Sequence, residues 1–168
     1  MDFSLPPHVK EFQHKLRRFV ADEILPLEAE KSNYDLHENI KEPVLNKVRE
    51  KAKALGLWAP QMPKARGGQE LPLVGLAACY EEMNRSILGP ACFNCAAPDD
   101  GNMIVLEKVG TEQQKTQWLQ PIIDGKVRSA FAMTEPAPGA GSDPAAMVTK
   151  ATRRNGKWVI EGKKWFIT

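Results

Sequence analysis

The densest run of small and hydroxyl-bearing residues in this chain is Gly139-Ala140-Gly141-Ser142-Asp143. Bare backbone N–H groups in such a run can close on an anion where side chains are absent. The established phosphate fingerprints do not fit it. A dinucleotide loop would need glycine where Pro144 stands and a helix after it, and a Walker loop would need Gly-Lys-Ser/Thr. The nucleophile elbow G-x-S-x-G fails as well. A plain surface loop is therefore the competing reading, and context favours a ligand. The run joins a segment carrying Phe131, Met133 and Thr134 to one returning with Trp165, Phe166, Ile167 and Thr168. Aromatic faces, hydroxyls and a glycine-rich turn could then surround one flat, phosphate-bearing cofactor. Composition permits that arrangement and does not prove it.

Two other features are chemically suggestive. Cys92-Phe93-Asn94-Cys95 is a C-x-x-C, the spacing of a redox pair or of half a zinc site. A second cysteine pair is missing, His8, His14 and His37 lie far off in the charged N-terminal segment, and the pair sits among helices rather than after a strand. Buried small hydrophobes are the better reading. Glu135 is a carboxylate at the start of the glycine loop, but its place beside Pro136 suits structural hydrogen bonding better than catalysis.

These residues must be held by elements that the periodicity outlines. Val9, Phe12, Leu16, Phe19 and Val20 recur at helical spacing behind Pro6-Pro7, with Pro26 expected to stop the helix. A second helix is expected from about Glu38 to Leu55, with Ile40, Val44, Leu45, Val48, Ala52 and Leu55 on one face and Gly56 as the C′ residue. Trp58 to Glu70, with two prolines and a glycine pair, reads as a surface loop. Further helices are expected from Leu73 to about Asn84, from Asp99 to Val109, and after Thr111, which with Gln114 makes a capping-box signature ahead of Trp118 and Leu119. Near Gly125 the period changes. Val127, Ser129, Phe131 and Met133 alternate with their neighbours as in a strand. VTKATRR, Asn155-Gly156 and KWVIE form a type I′ hairpin signal, and KKWFIT is a third strand signal. A sheet ending on an unpaired aromatic strand exposes an apolar edge, so the chain is expected to continue beyond Thr168 in the whole protein. The fold class is α+β: an all-α domain over 1–125, then over 126–168 the first strands of an antiparallel, barrel-like β domain.

Composition narrows the setting. A formal charge of +2 supplies no field for nucleic acid or an anionic membrane. No apolar stretch approaches the roughly 20 residues of a membrane span. The start, MDFSLPPHVKEF, has neither a signal-peptide nor a transit-peptide pattern. The odd count of three cysteines argues against a disulfide scaffold. A cytosolic or matrix-like compartment with reduced thiols is expected.

FAMTEPAPGAGSDPAAMVTKA followed by NGKWVIEGKKWFIT resembles the signature of the acyl-CoA dehydrogenase family, which has a Thr-Glu-Pro and Gly-Ala-Gly-Ser-Asp run and then a Gly-x-Lys-x-Trp-Ile-Thr strand. Gly110 to Lys115 is similar to the segment that precedes the β domain in that family, so the resemblance covers the whole chain. CFNCAAPDDGNM looks closest to the branch with the long animal members carrying fused kinase-like regions and many single-domain bacterial relatives.

The resemblance implies FAD as cofactor and α,β-dehydrogenation of a fatty acyl-CoA to the trans-2-enoyl-CoA. It places Thr134 near flavin N5, with Phe131 and Met133 as neighbouring contacts. A donor there would suit hydride acceptance. It places Gly141 and Ser142 at the pyrophosphate, Ser142 also at the thioester entry, and Phe166, Ile167 and Thr168 against the ring. Two departures stand out. Phe166 replaces the usual tryptophan, and TEPAPGAGSD is two residues longer than the commonest form of the loop, which leaves open the path between Thr134 and Ser142. The catalytic glutamate of the family lies in a C-terminal helical domain that this chain does not include, so no base is assigned here. Electron-transfer flavoprotein as acceptor and a homodimer or homotetramer are further implications. Two other readings stay open: a flavin oxidase or monooxygenase of the same fold, and a non-catalytic helical module that binds acyl-CoA or a partner.

Overall fold

A computed structural model describes residues 4–139 and 141–167. The chain divides into two compact units, Met1–Val127 and Arg128–Thr168.

The first unit is helical. Its elements are α1 (Pro7–Phe19), α2 (Leu25–Ala29), α3 (Glu42–Ala54), α4 (Leu73–Met83), α5 (Gly89–Cys92), α6 (Asp99–Val109), α7 (Glu112–Gln114) and α8 (Gln120–Ile123). Val9, Phe12, Leu16 and Phe19 of α1 are buried, as their spacing requires. Pro26 does not stop this helix. A π-helical turn over Val20–Ile24 shifts the ladder so that the Leu25 N–H reaches the Val20 carbonyl, five residues back, and the chain continues as α2. The wider turn absorbs the donor that proline lacks. The same device recurs ahead of Pro121, where the Gln120 N–H reaches the Lys115 carbonyl.

The second helix begins at Glu42 rather than near Glu38. The Asp35 carboxylate accepts the N–H groups of His37 (2.8 Å) and Asn39 (2.9 Å), Glu38 adopts φ 59°, and Tyr34 bridges Ile40, so a side chain has taken the amides a helix would use. Leu55 is exposed, whereas Val48 and Ala52 of the same face are buried. Gly56 is the C′ residue at φ 67°, with Gly56 N to Lys53 O and Leu57 N to Ala52 O closing a Schellman motif. The capping box forms as its sequence indicates, with Thr111 and Gln114 exchanging side-chain-to-backbone bonds.

Two apolar clusters fill this unit. One gathers Phe12, Leu16 and Phe19 of α1 with Val48, Cys79, Met83, Cys92 and Phe93. The other gathers Ala59, Met62, Met103, Leu119, Ile122 and Ile123. The stretch 58–70 belongs to this second core and is not a surface loop: Ala59, Pro60 and Met62 are buried, the Ala59 N–H donates to Phe93 O (2.8 Å), and Trp58 Nε1 donates to Ile123 O (2.6 Å). Prolines and glycines set its path, while its apolar side chains face inward. Cys79, Cys92 and Cys95 are free and buried. Burial pushes Cys79 up to about 11 and Cys92 up to about 12, and Cys95 higher still. Thiols in that state are packing groups rather than nucleophiles.

The second unit holds one antiparallel pair, β1 (Lys150–Arg154) and β2 (Lys157–Glu161), in register from Lys150↔Glu161 to Arg154↔Lys157. Asn155 (φ 50°) and Gly156 (φ 76°) make the type I′ turn. The alternation over 127–134 does not become a strand, and neither does KKWFIT among the described residues. Instead an isolated bridge joins Glu135 to Gly141, and the Trp165 N–H donates to Thr134 O (3.2 Å). Phe166 at φ 50° interrupts the extended run that would have made a third strand.

Candidate functional site

The glycine loop is organised by Glu135, whose side chain is 1% exposed. Its Oε1 accepts from Lys164 Nζ (2.8 Å) and from the Thr149 N–H (3.0 Å), and its Oε2 accepts from the Val148 N–H (2.7 Å). Lys164 Nζ also donates to Met133 O (2.8 Å), so the ammonium holds the backbone next to the carboxylate it pairs with. The Lys164 ammonium first, and the N–H groups of 148–149 with it, hold the Glu135 carboxyl down at about 2. A group so stabilised as an anion is a poor proton acceptor near neutral pH, which agrees with the structural role its position beside Pro136 suggests.

The same carboxylate explains a glycine. A Cβ at Gly139 would lie 2.6 Å from Glu135 Cβ and 2.7 Å from its Oε2, so only glycine lets the loop close over the acid. Gly141, at φ 62°, meets nothing within 4 Å and is required by backbone conformation instead. The two additional residues of the loop fold into a local turn, with Gly139 N donating to Pro136 O (2.8 Å) and Glu135 N to Gly141 O (3.0 Å). That bridge joins Glu135 to Gly141, the residues next to Thr134 and Ser142 in the chain.

Around this centre lie the residues singled out in the sequence. Met133 and Thr134 are half-buried, and their carbonyls accept from Lys164 and Trp165. Ser142 is exposed. Phe131 is 59% exposed and Phe166 82%; Ile167 is at the margin of exposure. The Trp165 and Phe166 rings lie 4.8 Å apart, tilted by 39°. Thr168 lies outside the described residues. Lys164 escaped the sequence reading as a site residue: its spacing does not mark it as covered, and the signal that could have found it is its place at the lysine of the Gly-x-Lys-x-Trp-Ile-Thr pattern.

This donor set fits a flat, phosphate-bearing cofactor in its chemistry. Phe131 and Phe166 offer uncovered apolar faces, Thr134 and Ser142 supply hydroxyls, and Gly141 leaves its Cα unobstructed. Among the described residues no group of His, Cys, Asp and Glu is placed to hold a metal ion, and no helix is long and apolar enough to cross a membrane.

Comparison with known proteins bears on the whole chain. The family model for the acyl-CoA dehydrogenase N-terminal domain matches residues 6–126, and that for the middle domain matches 130–168. FadE2 of Mycobacterium tuberculosis, a probable acyl-CoA dehydrogenase, is 37% identical over 99% of this chain, which spans 41% of that protein. Acyl-CoA dehydrogenase family member 11 of Gallus gallus is 40% identical over 90% of this chain and 20% of its own length. The structure of a Mycobacterium abscessus protein assigned provisionally as an acyl-CoA dehydrogenase superposes with a TM-score of 0.87 at 33% identity, covering 98% of this chain and 43% of that one. A structure of PigA with FAD and proline superposes with a TM-score of 0.74 at 25% identity, over 99% and 42% of the two chains. The chain thus spans about two fifths or less of these relatives.

Proposed function

The chain belongs to the acyl-CoA dehydrogenase family, and we propose that it supplies the N-terminal helical domain and the opening of the β domain of a FAD-dependent enzyme that converts a fatty acyl-CoA to the trans-2-enoyl-CoA. The observation that carries this reading is the Glu135-centred cluster, which gathers Met133, Thr134, Gly141 and the 164–166 segment at one place. Bound there, FAD supplies the acceptor for the hydride leaving the β carbon. Thr134 would hold the ring near its N5 with Phe131 and Met133 as neighbouring contacts, Phe166, Ile167 and Thr168 would lie against the ring, and Gly141 and Ser142 would hold the pyrophosphate. Ser142 also borders the thioester. The α-proton acceptor comes from residues outside this chain, since Glu135 is already committed to three donors. Electron-transfer flavoprotein as acceptor, a homodimer or homotetramer, and a reducing cytosolic or matrix-like compartment complete the proposal; the buried, free thiols suit that compartment.

The test is the absorbance spectrum of the full-length protein, titrated anaerobically with acyl-CoA. A yellow protein that bleaches on titration is expected. Phe131→Ala with Phe166→Ala should lower FAD retention by roughly tenfold, in keeping with aromatic contacts of about 0.5–1.5 kcal/mol each, and because both rings are exposed the change should leave the fold intact. A colourless protein, or a yellow one that acyl-CoA leaves unbleached, overturns the reading.

A further inference from the structure

Of the side chains offered for the cofactor face, Phe166 and Phe131 are the most exposed, so packing does not fix where those rings stand. Their backbones must be fixed some other way. A two-stranded pair gives little rigidity by itself, and the third strand expected from the sequence does not form among the described residues. What ties the segments together is the buried Glu135 with Lys164. The ammonium reaches the carbonyl of Met133, the carboxylate takes the amides of Val148 and Thr149, the residue after Lys164 bonds Thr134, and the amide of Glu135 itself bonds Gly141. Every one of these atoms lies within two residues of a proposed cofactor contact, except the 148–149 amides, which root the hairpin. Two glycines carry the geometry. Gly139 admits the carboxylate, and at Gly162 a Cβ would lie 2.8 Å from the Thr149 Cα, so the chain leading into Lys164 can approach the root of the hairpin only as glycine.

We propose that Glu135 and Lys164 are a positioning pair: the ion pair of buried Glu135 with half-buried Lys164 sets the register of the 131–134 and 164–167 segments and so presents Phe131, Thr134 and Phe166 to the cofactor. This rests on the functional reading above and adds two residues to it, neither of them among the proposed cofactor contacts. Both charges are needed. The carboxylate accepts from three donors, and a neutral amide in its place would turn an N–H toward one of them. The ammonium has two oxygens to hold, and a neutral side chain would release both.

The test uses the full-length holoprotein and its Glu135→Gln, Lys164→Met and Lys164→Arg variants. Far-UV circular dichroism reports folding, while the shape of the flavin visible absorption band, the flavin reduction potential, and kcat and KM with acyl-CoA report positioning. Glu135→Gln and Lys164→Met should each shift the band and the potential and lower kcat per bound flavin by about tenfold with KM little changed, and Lys164→Arg should restore most of the loss. A brace that only stabilises would lower the melting temperature while leaving spectrum, potential and kcat per bound flavin as in the parent, and that result overturns the proposal. Should Glu135→Gln fail to fold, Lys164→Met, which leaves the carboxylate its two amide donors, decides by the same readouts. A parent protein without flavin would instead refute the functional reading, and the pairing with it; a yellow, active parent with unchanged variants refutes the pairing alone.

Discussion

Gly125 and Trp58 offer a quantitative check on the packing of the helical unit. Gly125 closes α8 in a Schellman motif, with Lys126 N to Pro121 O (3.0 Å) and Gly125 N to Ile122 O (2.9 Å), at φ 73°. Alanine there costs about 1 kcal/mol for the left-handed conformation alone. Its Cβ would also stand 2.8 Å from Trp58 Cζ2, and the indole cannot swing away, because Nε1 is bonded to Ile123 O and Lys53 Nζ lies 4.7 Å over the ring. Overpacking against a pinned ring adds about 2 kcal/mol, so Gly125→Ala should cost about 3 kcal/mol. Trp58→Phe loses one hydrogen bond, but the Ile123 carbonyl keeps the Asn94 amide as donor (3.2 Å), so the loss is about 1 kcal/mol plus about 1 kcal/mol of buried ring. In the double variant the six-membered ring of the indole is gone and the clash with it. The pair should then cost about 3 kcal/mol rather than the additive 5, a coupling of about 2 kcal/mol. Gly56→Ala is the control: the same Schellman position at φ 67°, with nothing within 4 Å, should cost only about 1 kcal/mol. Urea unfolding of the chain followed by far-UV circular dichroism measures all four variants. A Gly125→Ala cost no larger than that of Gly56→Ala, or a coupling below about 0.5 kcal/mol, would refute the packing argument.

Two further outcomes follow from the titrating groups. Glu135 has its folded value depressed to about 2 against an ordinary 4.5, so its contribution is full above 4.5 and is lost as pH falls from 4.5 toward 2; a carboxyl carbon NMR titration should find its midpoint near 2 in the parent and higher in Lys164→Met, whereas a parent midpoint at 4.5 would contradict the geometry. Cys79, Cys92 and Cys95 should resist alkylation at pH 8 until the helical unit unfolds, and mass-spectrometric mapping that finds Cys92 or Cys95 modified in the folded protein would reopen the redox reading of the C-x-x-C.

The helical half was legible wherever one local rule decided the outcome. Spacing alone buried Val9, Phe12, Leu16 and Phe19, and Gly56 and the Thr111–Gln114 box fixed two ends without help from tertiary contacts. Reading failed where a residue's ordinary preference was overruled by something nearby. Pro26 ordinarily ends a helix, yet a π turn supplied a register that needs no donor at that position. Asp35 delayed α3 by capturing two amides. The 58–70 stretch has turn composition, but Ala59, Pro60 and Met62 fill the gap beneath α6 and α8, and turn residues do not reveal which of their neighbours are covered.

The candidate site was legible in a different manner. Motif residues drew attention to the loop that Glu135 organises, but strand periodicity over 127–134 and in KKWFIT reports which side chains share a face, and says nothing of what the backbone pairs with. Here the backbone of Met133, Val148 and Thr149 bonds to the side chains of Lys164 and Glu135. By composition the glycines of the loop read as bare amides for an anion, whereas Gly139 lacks a side chain so that Glu135 can lie against it. Gly141 remains the glycine open toward solvent, beside the exposed hydroxyl of Ser142. A Gly-rich loop therefore carries two separable demands, one from its own buried acid and one from whatever it binds. Substituting Gly139 would disturb the first through Glu135, as would Gly141 through its φ of 62° and its bridge to Glu135, and substituting Ser142 would reach the second without touching the ion pair that holds the loop.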